Sequence, residues 1–202
     1  MGKKVLFINQ EMTPFVPENE LSLLGRNLPQ MILEKGHEVR TFMPKWASIN
    51  ERRGQLHEVQ RLSGMNLIID DTDHPMIIKC ASIPSTRIQV FFIDNDDYFS
   101  KRQVDIENED VDYNDNGERT VFFARGVLET VKKQRWSPDI IHCQGWLSVA
   151  LPLYAKLAYN EEPSFANSKI ITSLSSFNNK EFEADFKTLL EYSNITKESL
   201  EK

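Results

Sequence analysis

The chain has 202 residues, of which 40% are hydrophobic and 27% charged, a balance typical of a globular domain with a buried core. Its formal net charge of −6 disfavours binding to nucleic acid and to anionic membranes. No apolar run approaches the roughly 18 residues of a membrane-spanning helix, and the short apolar run near the N-terminus is too short for a signal peptide. The isolated cysteines Cys80 and Cys143 predict buried free thiols in a reducing compartment, so the expected location is the cytoplasm.

Hydrophobic periodicity predicts that strands and helices alternate along the chain. A strand over residues 3–9, an amphipathic helix over residues 21–36 and a strand over residues 39–43 form a βαβ unit. Two further strands, over residues 76–81 and 88–93, predict a small hairpin inserted beside the main sheet. The remaining predicted elements are a helix from residue 116 to about 135, a strand over 139–143, a helix over 146–159, a strand over 169–174 and a helix over 181–192.

This alternation predicts an α/β fold, a Rossmann-like, doubly wound and mostly parallel sheet, in which ligands bind beyond the carboxyl ends of the strands. Glu11 follows the first predicted strand, and His142 and Trp146 lie at the end of the strand near residue 140. Their side chains suit hydrogen bonding to hydroxyl groups and stacking on sugars. Each also has a purely structural interpretation, as a helix-capping carboxylate, a satisfied histidine or a partly buried tryptophan. Neither a glycine-rich phosphate loop nor a catalytic triad is recognisable.

Residues 112–117 follow the opening of a calcium-binding loop, with oxygen ligands at alternate positions and a glycine at the turn. Such a loop closes with a bidentate glutamate at its twelfth position, which is Phe123 here. We therefore expect no metal. The segment instead predicts a helix start, in which Asp115 or Asn116 accepts hydrogen bonds from free backbone N–H groups and Glu118 lies at the positive helix end.

Five blocks of the sequence, taken in chain order, resemble the bacterial glycogen and starch synthases. They include that family's Glu-x-x-Pro-Phe after the first strand, its Gly-His-x-Val before the second, its Asp-Asn-x-x-Arg helix entrance and its Pro-Asp-x-x-His strand. The blocks are KKVLFINQEMTPF, LGRNLPQMILEKGHEVRTFMPKW, FFIDNDDYF, DYNDNGERTVFFARGVLE and SPDIIHCQGWLSVALPLYAKL.

The resemblance implies a retaining GT-B glycosyltransferase, which transfers glucose from ADP-glucose to an α-1,4-glucan without a metal or other cofactor. Residues 1–202 would form its single N-terminal, acceptor-side domain, with the C-terminal nucleotide-binding domain absent. The implied partners are an α-glucan or maltooligosaccharide, and ADP-glucose only with a separate C-terminal domain. The positions that would line the cleft are Glu11, Phe99, Asn116, His142 and Trp146.

The sequence departs from the family at the motifs that contact the donor. The family's Lys-Thr-Gly-Gly is Pro-Glu-Asn-Glu at residues 17–20, and its His-Asp-Trp-His is Gln-Gly-Trp-Leu at residues 144–147. The sugar-contacting histidine therefore corresponds to Leu147, and no catalytic residue is assigned. We expect a synthase-like glycosyltransferase domain that is inactive as an isolated chain. The alternative is a non-catalytic relative that binds glucan or regulates a synthase.

Overall fold

The computed structural model of the chain describes residues 2–69, 71–101, 115–173 and 195. Strands and helices alternate along these residues, as predicted. In chain order the elements are β1 (Lys4–Asn9), α1 (Glu20–Glu34), β2 (Glu38–Pro44), α2 (Glu51–Gly54), β3 (His57–Glu58), β4 (Met65–Ile69), β5 (Thr72–Ser82), β6 (Gln89–Asp94), a π turn (Asp96–Ser100), α3 (Asn116–Lys133), β7 (Ile140–Gln144), a 3-10 turn (Trp146–Ser148), α4 (Ala150–Leu153), a second π turn (Tyr154–Ala158) and β8 (Lys169–Ser173).

The eight strands form one sheet in the order β3-β5-β6-β2-β1-β7-β8, with β4 paired to β5. Strands β6, β2, β1, β7 and β8 run parallel to one another, whereas β5 is antiparallel to β6. The chain first builds the sheet from β1 towards β2 and β6, and later adds β7 and β8 on the other side of β1. The predicted doubly wound, mostly parallel sheet is confirmed, and its strand order reverses between β1 and β7.

The predicted hairpin is present as β5 and β6, with Ile78 opposite Ile93. Strand β6 also pairs in parallel with β2, through Thr41 and Val90. The hairpin therefore extends the main sheet rather than standing beside it. The reason lies in β6 itself, because side chains from both of its faces, such as Phe92 and Ile93, are fully buried, as expected for a strand in the interior of a sheet.

Residues 146–159, predicted as one helix, form three consecutive short segments: the 3-10 turn, α4 and the second π turn. The segment is helical as predicted, since the joining residues Val149, Leu153 and Tyr154 have right-handed helical backbone angles, but its hydrogen-bond pattern is not that of one regular α-helix. Pro152 has no N–H group, so it cannot donate to the carbonyl of Ser148 four residues earlier, and its ring crowds that turn. The helix predicted over residues 181–192 lies outside the described residues.

Helix α3 is the central helix of the core, with Phe122, Phe123 and Val127 fully buried. Helix α3 begins at Asn116, as predicted, and ends at Lys133, close to the predicted end at about residue 135. Cys80 and Cys143 are both free and buried, as predicted, and burial raises the pKa of the Cys143 thiol to about 12. Across the part of the chain that the structure describes, no helix is long and apolar enough to cross a membrane.

Candidate functional site

The carboxyl ends of β1 and β7 lie side by side at the point where the strand order reverses. Asn9 is paired with Gln144 in the register of these strands, and the backbone N–H of Gln10 donates to the carbonyl of Gln144 at 3.2 Å. Glu11 follows β1, and Trp146 follows β7 after a single glycine. In doubly wound sheets this crevice is where ligands bind, so the fold places two predicted site residues at the expected location.

Both carboxylate oxygens of Glu11 are hydrogen-bonded to side-chain amides of the same chain. Gln10 Nε2 donates to Glu11 Oε1 at 3.1 Å, and Asn19 Nδ2 donates to Glu11 Oε2. Asn19 is also the N-cap of α1, where its Oδ1 accepts from the backbone N–H of Ser22 at 2.7 Å. Glu11 is only 7% exposed, whereas Asn19 lies at the surface. The amide of Asn19 therefore covers the carboxylate from the solvent side.

Helix α1 is held over the strand ends by two further amides. Pro29 lies inside α1 and has no N–H group, so the carbonyl of Gly25 lacks its usual helical partner. Asn9 Nδ2 approaches that carbonyl at 3.4 Å. Gln144 Nε2 donates to the carbonyl of Leu21 at 2.7 Å, in the first turn of the helix. The amide of Asn9 thereby compensates α1 for its proline, and Asn9 and Gln144 together fix the helix above the crevice.

His142 lies on the same face of β7 as Gln144, because the two are separated by one residue of a strand. Its Nε2 lies 2.8 Å from Ser173 Oγ on β8, and its ring packs 5.4 Å from that of Phe7. Among the described residues, its Nδ1 is buried without a hydrogen-bond partner. Burial lowers the pKa of His142, so the imidazole is neutral at pH 7.

The other three predicted residues, Phe99, Asn116 and Trp146, surround a buried guanidinium that the sequence analysis did not select. Arg119 Nη1 donates to Asn116 Oδ1 at 3.0 Å. The guanidinium carbon of Arg119 lies 5.5 Å from the ring centre of Trp146 and 6.0 Å from that of Phe99, distances at which a cation is attracted to an aromatic face. The available signal was the spacing, since Arg119 is one helical turn after Asn116.

Trp46 joins this Arg119 cluster to the end of β1. The guanidinium of Arg119 lies 5.4 Å from the Trp46 ring centre, and Phe99 meets the same ring edge-on at 5.7 Å. Trp46 Nε1 donates to the carbonyl of Gln10 at 2.8 Å. The structure thus connects Glu11, Phe99, Asn116 and Trp146 through Trp46 and Arg119, whereas the contacts of His142 are with Ser173 and Phe7.

Two expectations about side chains near the start of α3 need correction. Asp115 occupies the N-cap position but makes no side-chain capping hydrogen bond, and the amide oxygen of Asn116 is directed to Arg119 instead. The prediction that either residue caps the helix is wrong, because Arg119 is the stronger, charged donor.

Phe99 is fully buried, so its ring offers no open face for a sugar in this structure. Glu118 accepts a hydrogen bond from the Tyr98 hydroxyl at 2.7 Å.

Two lysines near the strand ends are already paired with carboxylates. Lys45, just after β2, lies 3.3 Å from Glu51. Lys79 on β5 lies 2.6 Å from Glu51 and 2.8 Å from Asp94. The hydrogen bond from Lys79 lowers the pKa of Glu51, so the carboxylate stays charged. Within the described residues, no group of three or more histidine, cysteine, aspartate or glutamate side chains is placed to hold a metal ion.

The sheet order and the crevice beside β1 define a Rossmann-like domain of the kind found in GT-B glycosyltransferases. The fold is similar to that of the catalytic domain of starch synthase IV from Arabidopsis thaliana, which was solved bound to ADP and acarbose. The TM-score is 0.69 with 24% sequence identity, and the similarity covers 85% of this chain and 34% of that chain.

The sequence comparisons identify the family. Residues 4–198 match the starch synthase catalytic domain. Glycogen synthase from Chlorobium limicola is 36% identical over 173 residues, which are 85% of this chain and 35% of that protein. Glycogen synthase from Chlorobaculum tepidum shows the same identity and coverage. The chain belongs to the starch synthase catalytic domain family and is a glycogen/starch synthase-like glycosyltransferase domain. It spans 35% of the length of these relatives.

Proposed function

We propose that the isolated chain recognises α-glucan or maltooligosaccharides and does not itself transfer glucose. The observation that carries this proposal is the carboxylate of Glu11, held by amides in the crevice between β1 and β7. Carboxylates and amides at this location suit the hydroxyl groups of an uncharged sugar. Glu11, Phe99, Asn116, His142 and Trp146 are the residues proposed to form the glucan-binding region, with Phe99 contributing through its packing against Trp46.

The charges around the crevice oppose the binding of a nucleotide sugar. Where the family has Lys-Thr-Gly-Gly, the chain has Pro17 in place of the cation and exposed carboxylates at Glu18 and Glu20. Lys45 and Lys79 are neutralised by their own carboxylate partners. Without a charge-assisted hydrogen bond to a phosphate, binding is weaker by about 1.5–3 kcal/mol for each such bond. We propose that ADP-glucose binds only with a separate C-terminal domain.

The position of the family's sugar-contacting histidine supports the same proposal. Leu147 stands there and is fully buried, so this position has no polar group to contact a sugar. Regulation of an active synthase is the second candidate function. The observation that favours it is the retained β1–β7 crevice beside a donor site that has no cation at residue 17.

The binding proposal is tested by titrating maltoheptaose into isotope-labelled protein. We expect amide shifts at residues 11, 99, 116 and 142–146, with a dissociation constant on the order of 1 mM, because residues 1–202 span only 35% of the length of the glycogen synthase relatives. Glu11→Gln should weaken binding severalfold because it removes the anionic acceptor. Glu18→Gln, in the exposed neighbouring loop, is the matched control and should leave the affinity unchanged. Shifts that map elsewhere, or none at about 10 mM sugar, contradict the proposal.

Transfer is tested separately with radiolabelled ADP-glucose and glycogen. We expect incorporation by the isolated chain to equal that of a protein-free blank, because Pro17 and Leu147 replace two donor- and sugar-contacting residues of the family. Incorporation above the blank that Glu11→Gln abolishes would show that the chain is itself a transferase. Activity that persists in that variant would point to a contaminating synthase.

A further inference from the structure

Three amide side chains at the β1–β7 crevice all direct their N–H groups into the protein. Asn9 donates to the Gly25 carbonyl, Gln144 to the Leu21 carbonyl and Gln10 to the Glu11 carboxylate. Carbonyls and carboxylates only accept, so the nitrogen of each amide must face them. The orientation of these side chains therefore follows from their partners.

The amide oxygens that remain are Asn9 Oδ1, Gln10 Oε1 and Gln144 Oε1. Each is buried and has no hydrogen-bond partner among the described residues. The three residues are 0%, 6% and 1% exposed. Gln10 Oε1 lies against Gly145, where a Cβ atom would be only 2.6 Å away. Buried polar atoms are normally satisfied, so this acceptor-only group indicates a place for a molecule that donates hydrogen bonds.

The carboxylate of Glu11 adds two more acceptors to the same crevice, and both are taken by the chain itself. Gln10 holds Oε1 within the crevice, and Asn19 holds Oε2 from the solvent side. Asn19 stands at the first glycine of the family's Lys-Thr-Gly-Gly, so the departure from that motif supplies the covering amide.

We propose that Asn19 controls affinity at this site, because its exposed amide occupies Glu11 Oε2 in competition with the hydroxyl groups of the ligand. This inference rests on the proposed glucan binding and deepens it. The ligand class is a neutral polyol, since every group that becomes available accepts hydrogen bonds. A phosphate carries negative charge and mainly accepts hydrogen bonds, so these acceptor groups do not favour its binding. Binding requires the exposed amide of Asn19 to move aside, whereas Glu11 and the three buried amides stay in place.

The test compares two helix caps of the same kind. Asn19→Gly removes the donor to Glu11 Oε2, and glycine is tolerated at an N-cap. Asn50→Gly is the control, since the side chain of Asn50 caps α2 by accepting from the backbone N–H three residues later, at Arg53. We expect the dissociation constant for maltoheptaose to fall by about three- to tenfold in Asn19→Gly. This fold-change corresponds to part of the free energy of one charge-assisted hydrogen bond. Asn50→Gly should bind as the wild type does.

The outcomes separate this inference from the proposed function. If Asn19→Gly binds maltoheptaose no more tightly than the wild type does, the inference that Asn19 controls affinity is wrong. The proposal that the chain recognises glucan then still holds. Absence of binding in the wild type and in both variants overturns both proposals. A gain of ADP binding in Asn19→Gly overturns the assignment of a neutral ligand. Amide spectra test whether the variants fold, and Asn19→Ser, which keeps an N-cap hydroxyl but removes the amide that reaches Glu11 Oε2, gives the same expected gain if Asn19→Gly is unstable.

Discussion

Replacing Arg119 by alanine should lower the free energy of unfolding by about 3–5 kcal/mol. Arg119 is 2% exposed, and its Nε donates to the carbonyl of Tyr98 at 3.1 Å while Nη1 donates to Asn116. Alanine would leave both acceptors buried without these donors and would open a cavity between Trp46 and Trp146. Urea denaturation followed by tryptophan fluorescence measures the destabilisation, and the same rings report any change in their surroundings.

Arg125→Ala is the matched control, because it lies on the same helix and removes the same side chain. Arg125 is only partly buried and donates to the carbonyl of Ile68 at an exposed position, so its removal should cost less than about 1 kcal/mol. Equal destabilisation in the two variants would show that the Arg119 cluster is no more important than a surface contact. A large destabilisation confined to Arg119→Ala would identify this side chain as the one that positions Asn116 and Trp146.

The parts of the fold that could be predicted from the sequence are those with strong periodicity. The buried strands β1, β2 and β7 and the long helix α3 were predicted within a few residues of their bounds. The period of the apolar pattern distinguishes an amphipathic helix from a strand, and a short continuous apolar run indicates a strand buried on both faces. The doubly wound, mostly parallel arrangement followed because strands that alternate with helices along the chain favour a parallel sheet.

The hydrogen-bond partners in the candidate site could not be predicted in this way. Asn19 looks like an ordinary helix cap, and nothing in the spacing shows that its amide nitrogen reaches Glu11. Arg119 reads as an exposed charge on an amphipathic helix, although three aromatic rings from distant segments enclose it. Such contacts depend on how the backbone brings remote residues together, and the local pattern contains no information about them. The change of hydrogen-bond pattern along residues 146–158 also depends on Pro152, whose effect on a helix varies with its neighbours.

The buried amide oxygens of the β1–β7 crevice relate the fold to the candidate site. A fold that needs only stability would pair or remove buried amide oxygens, because each unsatisfied group costs about 1–3 kcal/mol. Here Asn9 and Gln144 satisfy the carbonyls of α1 and leave their own oxygens without partners among the described residues. The helix is thereby fixed above the crevice, and under the proposed glucan binding these oxygens would accept hydrogen bonds from the hydroxyl groups of the ligand.

Gly25→Ala should lower the free energy of unfolding by about 3 kcal/mol, although alanine normally stabilises a helix interior by up to roughly 1 kcal/mol relative to glycine. A Cβ atom at residue 25 would lie 2.3 Å from the backbone carbonyl oxygen of Glu11, and a backbone atom cannot swing away as a side chain does. The overlap would push α1 off the end of β1 and disturb the contact of Asn19 with Glu11.

Asn27→Ala, on the exposed face of the same helix, controls for helix propensity and should be neutral or slightly stabilising. Thermal and urea unfolding measure both variants. A stabilised Gly25→Ala would mean that α1 does not approach Glu11 this closely in solution, and the covering of Glu11 by Asn19 would then have to be abandoned.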